Sequence, residues 1–389
     1  MSAFAKAVAG AAIALQFVSA HAQYHARFIE TSKAWGSAVA DFNNDGHDDI
    51  FITGHDTDDR IWYWTAAGYR PSEQVLVWVD RHDCAPADFN RDGRMDMYCA
   101  VGAVKGTGEG PNEVWLQDPN GVFVLQTDHG AEDRYGSSRI PVTLDFNHDG
   151  YPDIYLTNER RDRADGNLSI NRLFINQGDG AHFVEAPTIA TGEKGSACAV
   201  AGDVNGDGWD DLLVCDLEGP PHVYLNDQAG NFTEAYPAAV HKKWRQVQLA
   251  DMNGDGKLDL VALVEGNDLE IWFNAGAGGD FPAADYTNHF SFTAKSITVG
   301  DFNRDGKPDV YAVLMNVDCP QTLSDLGADA LFLGLGNGQW GKTRLNQSFA
   351  GCGHLADTVD GDKVLLMNGG ISWVGPNYVL SWQPWLSAP

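Results

Sequence analysis

Six nine-residue segments carry the residues of this chain best suited to chemistry: Asp41–Asp49, Asp88–Asp96, Asp145–Asp153, Asp203–Asp211, Asp251–Asp259 and Asp301–Asp309. Each reads D-x-N-x-D-G-x-x-D. The side-chain oxygens belong to Asp41, Asn43, Asp45 and Asp49; Asp88, Asn90, Asp92 and Asp96; Asp145, Asn147, Asp149 and Asp153; Asp203, Asn205, Asp207 and Asp211; Asp251, Asn253, Asp255 and Asp259; and Asp301, Asn303, Asp305 and Asp309. Carboxylate and amide oxygens brought together by a glycine-permitted turn suit a hard cation, and calcium is the expected ion, with about six sites. The backbone carbonyl of position 7 is expected to complete each set. Side chains there are then free to vary, as His47, Arg94, Tyr151, Trp209, Lys257 and Lys307 do. A single such loop reads equally well as an Asx-type turn with solvated carboxylates. Six copies with every oxygen position intact favour the metal.

These loops are not EF-hands, whose loop ends in a bidentate Glu at position 12. Position 12 here is Ile52, Cys99, Leu156, Val214, Ala262 or Ala312, inside short apolar runs that read as buried strands. The loop therefore joins two strands. Successive first aspartates lie 47, 57, 58, 48 and 50 residues apart. A period near 50 with several short strands per unit is the mark of a β-propeller blade. A third strand follows in each unit (RIWYW, NEVWLQ, NRLFIN, HVYLN, LEIWFN, ALFLG), then a glycine-rich turn and a looser fourth strand.

The D-x-N-x-D-G-x-x-D loop and the N-x-G-D-G-x-x-F turn at Asn176–Phe183 resemble the FG-GAP/VCBS-repeat family, which includes the integrin α-subunit head. The resemblance implies an all-β propeller with calcium loops and is weak for function, because that family holds adhesins, lectins and enzyme-attached modules. A damaged seventh loop, Asp357–Asp362, and the following strands predict seven blades. The orphan strand His25–Glu30 is expected to complete the last one and close the ring, removing exposed edges. The expected blades span 31–79, 80–128, 129–190, 191–240, 241–290, 291–349, and 350–389 with 24–30, in one domain, 23–389.

Residues 1–22 have the form of a signal peptide: Lys6, an Ala-rich apolar run, and Ala20-His-Ala22 before Gln23. No later stretch is long enough to span a bilayer, so a secreted or periplasmic protein is expected. Six cysteines then suggest disulfides. Facing residues of an antiparallel hairpin share a constant index sum. Cys84 with Cys99 and Cys198 with Cys215 each fall one below the sum of the first and last aspartates of their own loop, so each pair is expected to bridge the two strands. Cys319 and Cys352 are left for a bridge between the last two blades. The formal charge of −28 is partly local to the loops and would be offset by calcium, but the chain remains acidic. That argues against nucleic acid and anionic membranes as partners.

Strand direction puts the acidic loops on one face and the irregular connections on the other, where a ligand is expected. Basic residues precede each first strand there: Lys33, Arg81, Arg139, Lys194, Arg245 and Lys295, with Trp35, Tyr135 and Trp244 nearby. They could ring a channel mouth and take an anionic or hydroxyl-rich ligand. The competing reading pairs them with acids at strand ends, such as Asp56, Glu159, Asp216 and Glu265. No G-x-S-x-G, H-E-x-x-H or phosphate loop is present. The reading is a non-catalytic module that binds a glycan or an extracellular protein. The alternatives are a polysaccharide lyase or hydrolase, for which His241 or His289 with Tyr135 is the candidate constellation, and a scaffold subunit of an envelope complex.

Overall fold

The structure is a computed structural model. It describes residues 23–383 apart from 33, 55–57, 78, 103–110, 135, 160–169, 187–194, 218, 236–241, 277–280, 292, 316–328, 337, 345–352 and 371–372. The expected signal peptide, Lys33, Tyr135, Lys194, His241, Asp56 and the Cys319–Cys352 pairing lie outside the described residues.

The described chain is all β, without helix, and its strands form seven antiparallel four-stranded sheets. Sheet 1 comprises Ala34–Ala40, Asp49–Gly54, Ile61–Tyr63 and Arg70–Pro71, and sheet 2 Arg81–Ala87, Asp96–Val101, Glu113–Gln117 and Phe123–Leu125. Sheet 3 comprises Ser138–Leu144, Asp153–Asn158, Arg172–Asn176 and Phe183–Glu185, and sheet 4 Ser196–Gly202, Asp211–Asp216, His222–Asn226 and Phe232–Ala235. Sheet 5 comprises Trp244–Ala250, Asp259–Val264, Asp268–Trp272 and Tyr286–His289, and sheet 6 Thr293–Gly300, Asp309–Met315, Ala330–Gly336 and Gln339–Arg344. Each of these six runs in chain order from first to fourth strand. Sheet 7 departs from that order: Gly353–Val359, Lys363–Gly370 and Trp373–Gln383 are followed by Gln23–Ser32, which pairs antiparallel with Trp373–Gln383.

Adjacent sheets pack through their first strands, and Gly353–Val359 lies against both Thr293–Gly300 and Ala34–Ala40. This radial repetition of short four-stranded sheets is a β-propeller. The second strands are near-continuous apolar runs because both of their faces are covered; in five of the six acidic units every residue of that strand is buried. The core is accordingly spread between sheets. One cluster joins Met252, Val261 and Ile271 of sheet 5 to Ile297, Val310 and Phe332 of sheet 6; another joins Phe89 and Tyr98 of sheet 2 to Ile154 and Phe174 of sheet 3.

The expected register holds at both cysteine pairs. Cys84 faces Cys99 and Cys198 faces Cys215, and both pairs form disulfides. Each links first to second strand within one sheet, an arrangement suited to an oxidising, non-cytosolic compartment. No described helix is long and apolar enough to cross a membrane.

One feature of the first strands is not visible in the sequence pattern. In all seven sheets the pairing with the second strand shifts by a residue at the end remote from the acidic loops, as between Ala34 and Gly36, Arg81 and Asp83, and Trp244 and Gln246. The same shift recurs in the remaining four. Such a bulge turns side chains on its two sides toward different faces.

Candidate metal loops and the opposite face

The six acidic loops share one hydrogen-bond pattern. The carboxylate of position 1 accepts from the backbone amides of positions 5 and 6: Asp41 from Asp45 (2.9 Å) and Gly46 (2.8 Å), with the same pair at Asp88, Asp145, Asp203, Asp251 and Asp301. Position 5 accepts from the amide of position 7, as Asp149 does from Tyr151 (2.8 Å). The glycine at position 6 has φ between 79° and 88° in every copy, a region that disfavours other residues. Position 4 is also left-handed; it is Asn44, Arg91, His148 and Arg304 in four loops and Gly206 and Gly254 in two.

Position 9 is fully buried in all six loops. One oxygen of Asp153 accepts from the Phe146 amide (3.0 Å) and the other from Asn176 at the end of the third strand (2.8 Å). Asp49, Asp96, Asp211 and Asp259 repeat this arrangement, and Asp309 does so with Asn303 and Gly334. Burial with the position-5 carboxylate pushes Asp211 up to about 6, and burial, with the carboxylates of positions 5 and 1 adding to it, pushes Asp49, Asp96 and Asp153 up to about 7 and Asp309 up to about 6. Asp259 is raised for the same reasons. The buried carboxyl of position 9 thus holds its proton more readily than an ordinary Asp, and a bound cation would favour its charged form. No group of three Asp, Glu, His or Cys side chains alone has metal-holding spacing among the described residues. The donor set of each loop is mixed, with amide and peptide oxygens beside the carboxylates, and such a set fits a hard cation.

Neighbouring loops are tied together. A residue at the end of the third strand, or two beyond it in sheet 5, donates its side-chain amide to the position-2 carbonyl of the preceding loop: Gln117 to Phe42 (2.9 Å), Asn176 to Phe89 (2.8 Å), Asn226 to Phe146 (2.8 Å) and Asn274 to Val204 (2.6 Å). Position 4 reaches the next loop as well. Asn44 donates to the Gly93 carbonyl (3.1 Å), Arg91 lies 5.2 Å from the centre of the Tyr151 ring, and His148 stacks on Trp209. Arg304 pairs with Asp362. The damaged loop docks on loop 1 through a reciprocal pair: the Asp48 amide donates to Asp360 (2.7 Å) and the Asp360 amide to Asp48 (2.6 Å). None of these ties was expected from sequence. The recurrent Asn or Gln just before the glycine-rich turn was the available signal.

On the opposite face the bulge sorts the expected ligand residues. The position just before it is occupied by Ala34, Arg81, Ser138, Ser196, Trp244 and Ala294, all at most 2% exposed. Arg81 and Trp244 therefore belong to the interior and not to a channel mouth. Their one-residue offset from Arg139, Arg245 and Lys295 turns them to the other side of the sheet. Arg81 is held by Asp59 and Glu113, each at 2.7 Å. Arg139 pairs with Glu159 and lies 3.0 Å from His82 Nε2. Trp35 packs beside the same imidazole, 5.5 Å between ring centres. Arg245 is exposed, with a 3.4 Å hydrogen bond to Asn267, and Lys295 is half-buried. His289, from the lyase-like alternative, is paired with Asp268 at 2.7 Å, and Lys242 reaches the same carboxylate.

A propeller with an acidic nine-residue turn between the first two strands of each unit defines a class, and the repeat itself identifies the family. A model described as the FG-GAP-like repeat matches residues 41–99, 88–156, 145–214, 203–262 and 251–312, so the chain belongs to the FG-GAP repeat family. No curated protein matches it. Among solved structures it is similar to BBS1N in complex with ARL6DN, with 10% identity, a TM-score of 0.56, and coverage of 93% of this chain and 94% of that one. It is also similar to Sqt1 of Saccharomyces cerevisiae, with 10% identity, a TM-score of 0.54, and coverage of 92% and 98%. At these identities the likeness concerns the fold.

Proposed function

We propose that this chain is an exported, calcium-stabilised binding propeller without catalytic activity, whose ligand is an extracellular protein or a glycan taken on the face opposite the acidic loops. The observation that carries the proposal is the sixfold identical cradle, in which positions 1, 5 and 9 hold their carboxylates together through backbone amides. Each cradle would hold calcium through positions 1, 3, 5 and 9 and the carbonyl of position 7. The seven sheets are read as seven blades of a closed ring in a single domain, 23–389, with Gln23–Ser32 as the clasp; its pairing with Trp373–Gln383 supports this. Two disulfides support export. A protein ligand gains support from the similar BBS1N propeller, which was solved in complex with ARL6DN.

Calorimetry of calcium into chelator-stripped protein tests the metal, with about six equivalents expected. A glycan array and a panel of purified extracellular proteins, each followed by product analysis, test the ligand. Binding without turnover is the expected result, and turnover of any bound glycan would replace this reading with the enzymatic one.

A further inference from the structure

We propose that the rim of acidic loops has one weak boundary, between Asp251–Asp259 and Asp301–Asp309, and that the propeller opens there first. Every other pair of neighbouring loops is bridged by at least one side chain. Loops 1 and 2 share Asn44 and Gln117; loops 2 and 3 share Arg91 and Asn176; loops 3 and 4 share His148 and Asn226. Loop 4 is held by Asn274 from sheet 5. Loop 6 is held to the damaged loop by Arg304 and by the Asp301 amide on the Gly361 carbonyl (2.9 Å), and the reciprocal Asp48–Asp360 pair completes the circuit.

Between loops 5 and 6 both devices are missing among the described residues. Position 4 of loop 5 is Gly254, which has no side chain to reach forward. The residue that should reach back from the third strand of sheet 6 is Gly334, where a Cβ would lie 2.4 Å from the Pro308 carbonyl oxygen. The backbone itself thus excludes an amide side chain there. What joins these sheets near the loops is aromatic: Phe273 and Tyr286 of sheet 5 lie against Trp340, 6.1 Å and 5.2 Å between ring centres. Such packing is non-directional and lies between outer strands, so it can act as a pivot without tying the loops. Farther from the rim, the Ile297 amide still donates to Gln246 (2.8 Å), and Lys342 of sheet 6 donates to Asn288 of sheet 5 (3.2 Å). The boundary is therefore pinned at depth and free at its acidic end. Regions with few buried polar ties open at lower free energy than their surroundings.

Hydrogen exchange of the mature chain, read by mass spectrometry on peptides covering each loop, tests this with calcium present and with EGTA. Amides of 251–259 and 301–309 should exchange about tenfold faster than those of 88–96 and 145–153. The order should be the same in both conditions, because the missing bridges are protein-to-protein. A failure of the calcium reading thus leaves this test intact. Gly254→Asn puts at a left-handed position the residue that Asn44 provides in loop 1, and nothing lies within 4 Å of its Cβ. It should slow exchange in both loops toward that of the others, and removing both bridges between loops 1 and 2 with Asn44→Gly and Gln117→Ala together should create a second fast boundary at 41–49 and 88–96. Uniform exchange around the rim, first opening at any other boundary, or a Gly254→Asn protein with the parent pattern would overturn the proposal.

Discussion

Asn226 donates its side-chain amide to the backbone carbonyl of Phe146 at 2.8 Å, and so ties the third strand of one sheet to the acidic loop of the sheet before it. Its own backbone amide donates to Asp211 (2.8 Å), so a single residue couples the buried carboxylate of one loop to the backbone of the loop before it. Asn226 is buried, and its replacement by Ala leaves a buried carbonyl without this donor. The expected cost is about 1–3 kcal/mol. Urea denaturation should show a lower midpoint with an unchanged slope, and Asn176→Ala should behave alike. A midpoint equal to that of the parent would remove these amides from the list of stabilising contacts.

The bulge separates Arg81 from the exposed cations by one residue, and the two classes should respond differently to substitution. Arg81→Ala leaves Asp59 and Glu113 buried without their partner, at an expected cost of about 3–5 kcal/mol. Arg245→Glu, on the surface, should stay within about 0.5 kcal/mol of the parent. Thermal melts of both variants check the contrast. If Arg245→Glu destabilised as much as Arg81→Ala, the burial argument would fail.

His82 provides a pH test on the same face. Its imidazole is buried between first strands, with Nδ1 donating to the Ser138 carbonyl (2.8 Å). Desolvation is the largest cause holding its pKa below the usual histidine value; the Arg139 charge lowers it further, while Asp80 works against both. The unfolded chain takes up a proton at about pH 6.5 that the folded chain resists. The stabilising contribution is therefore complete above that pH and is lost as pH falls through the depressed folded value. His82→Asn keeps a donor for the carbonyl but cannot titrate. Between pH 7.5 and 5.5 the parent should lose more melting temperature than this variant, and parallel pH profiles would show that His82 does not sense pH.

Much of the architecture was legible because it depends on period and register. The nine-residue repeat locates the first two strands of six sheets, and the index sums of Cys84 with Cys99 and Cys198 with Cys215 give their pairing directly. The bulge was not legible. Arg81 and Arg245 look equivalent when basic residues are aligned, yet a one-residue offset sends one to the interior and the other to solvent. The ties between loops were hidden for another reason. Asn44, Arg91, His148 and Arg304 reach the next loop by a hydrogen bond, a cation–π contact, a ring stack and an ion pair, and what all four share is a left-handed backbone at position 4. Asp360 illustrates both limits: it reads as the remnant of a metal loop, but it is engaged with Asp48 and Lys363.

That engagement distinguishes the damaged loop from the intact ones in a way calcium can report. Asp305 accepts from the Lys307 amide (3.1 Å), and its carboxylate stands in the proposed donor set of loop 6. Asp305→Ala should therefore lower the melting temperature mainly when calcium is present, bringing the loaded protein toward the stripped one, because ligand-linked stability scales with affinity. Asp360→Ala breaks protein-to-protein contacts between the first and last sheets, including the bond from the Asp48 amide (2.7 Å). Its cost should be about the same with calcium and with EGTA. Calcium-binding stoichiometry should fall by about one equivalent in Asp305→Ala and stay constant in Asp360→Ala, in keeping with one ion per intact loop. The decisive comparison is the difference in melting temperature between calcium and EGTA for the two variants. A smaller difference in Asp305→Ala with a parent-like difference in Asp360→Ala supports the assignment. The reverse pattern would move the metal to the junction between sheets 7 and 1 and leave the six repeated cradles as turns.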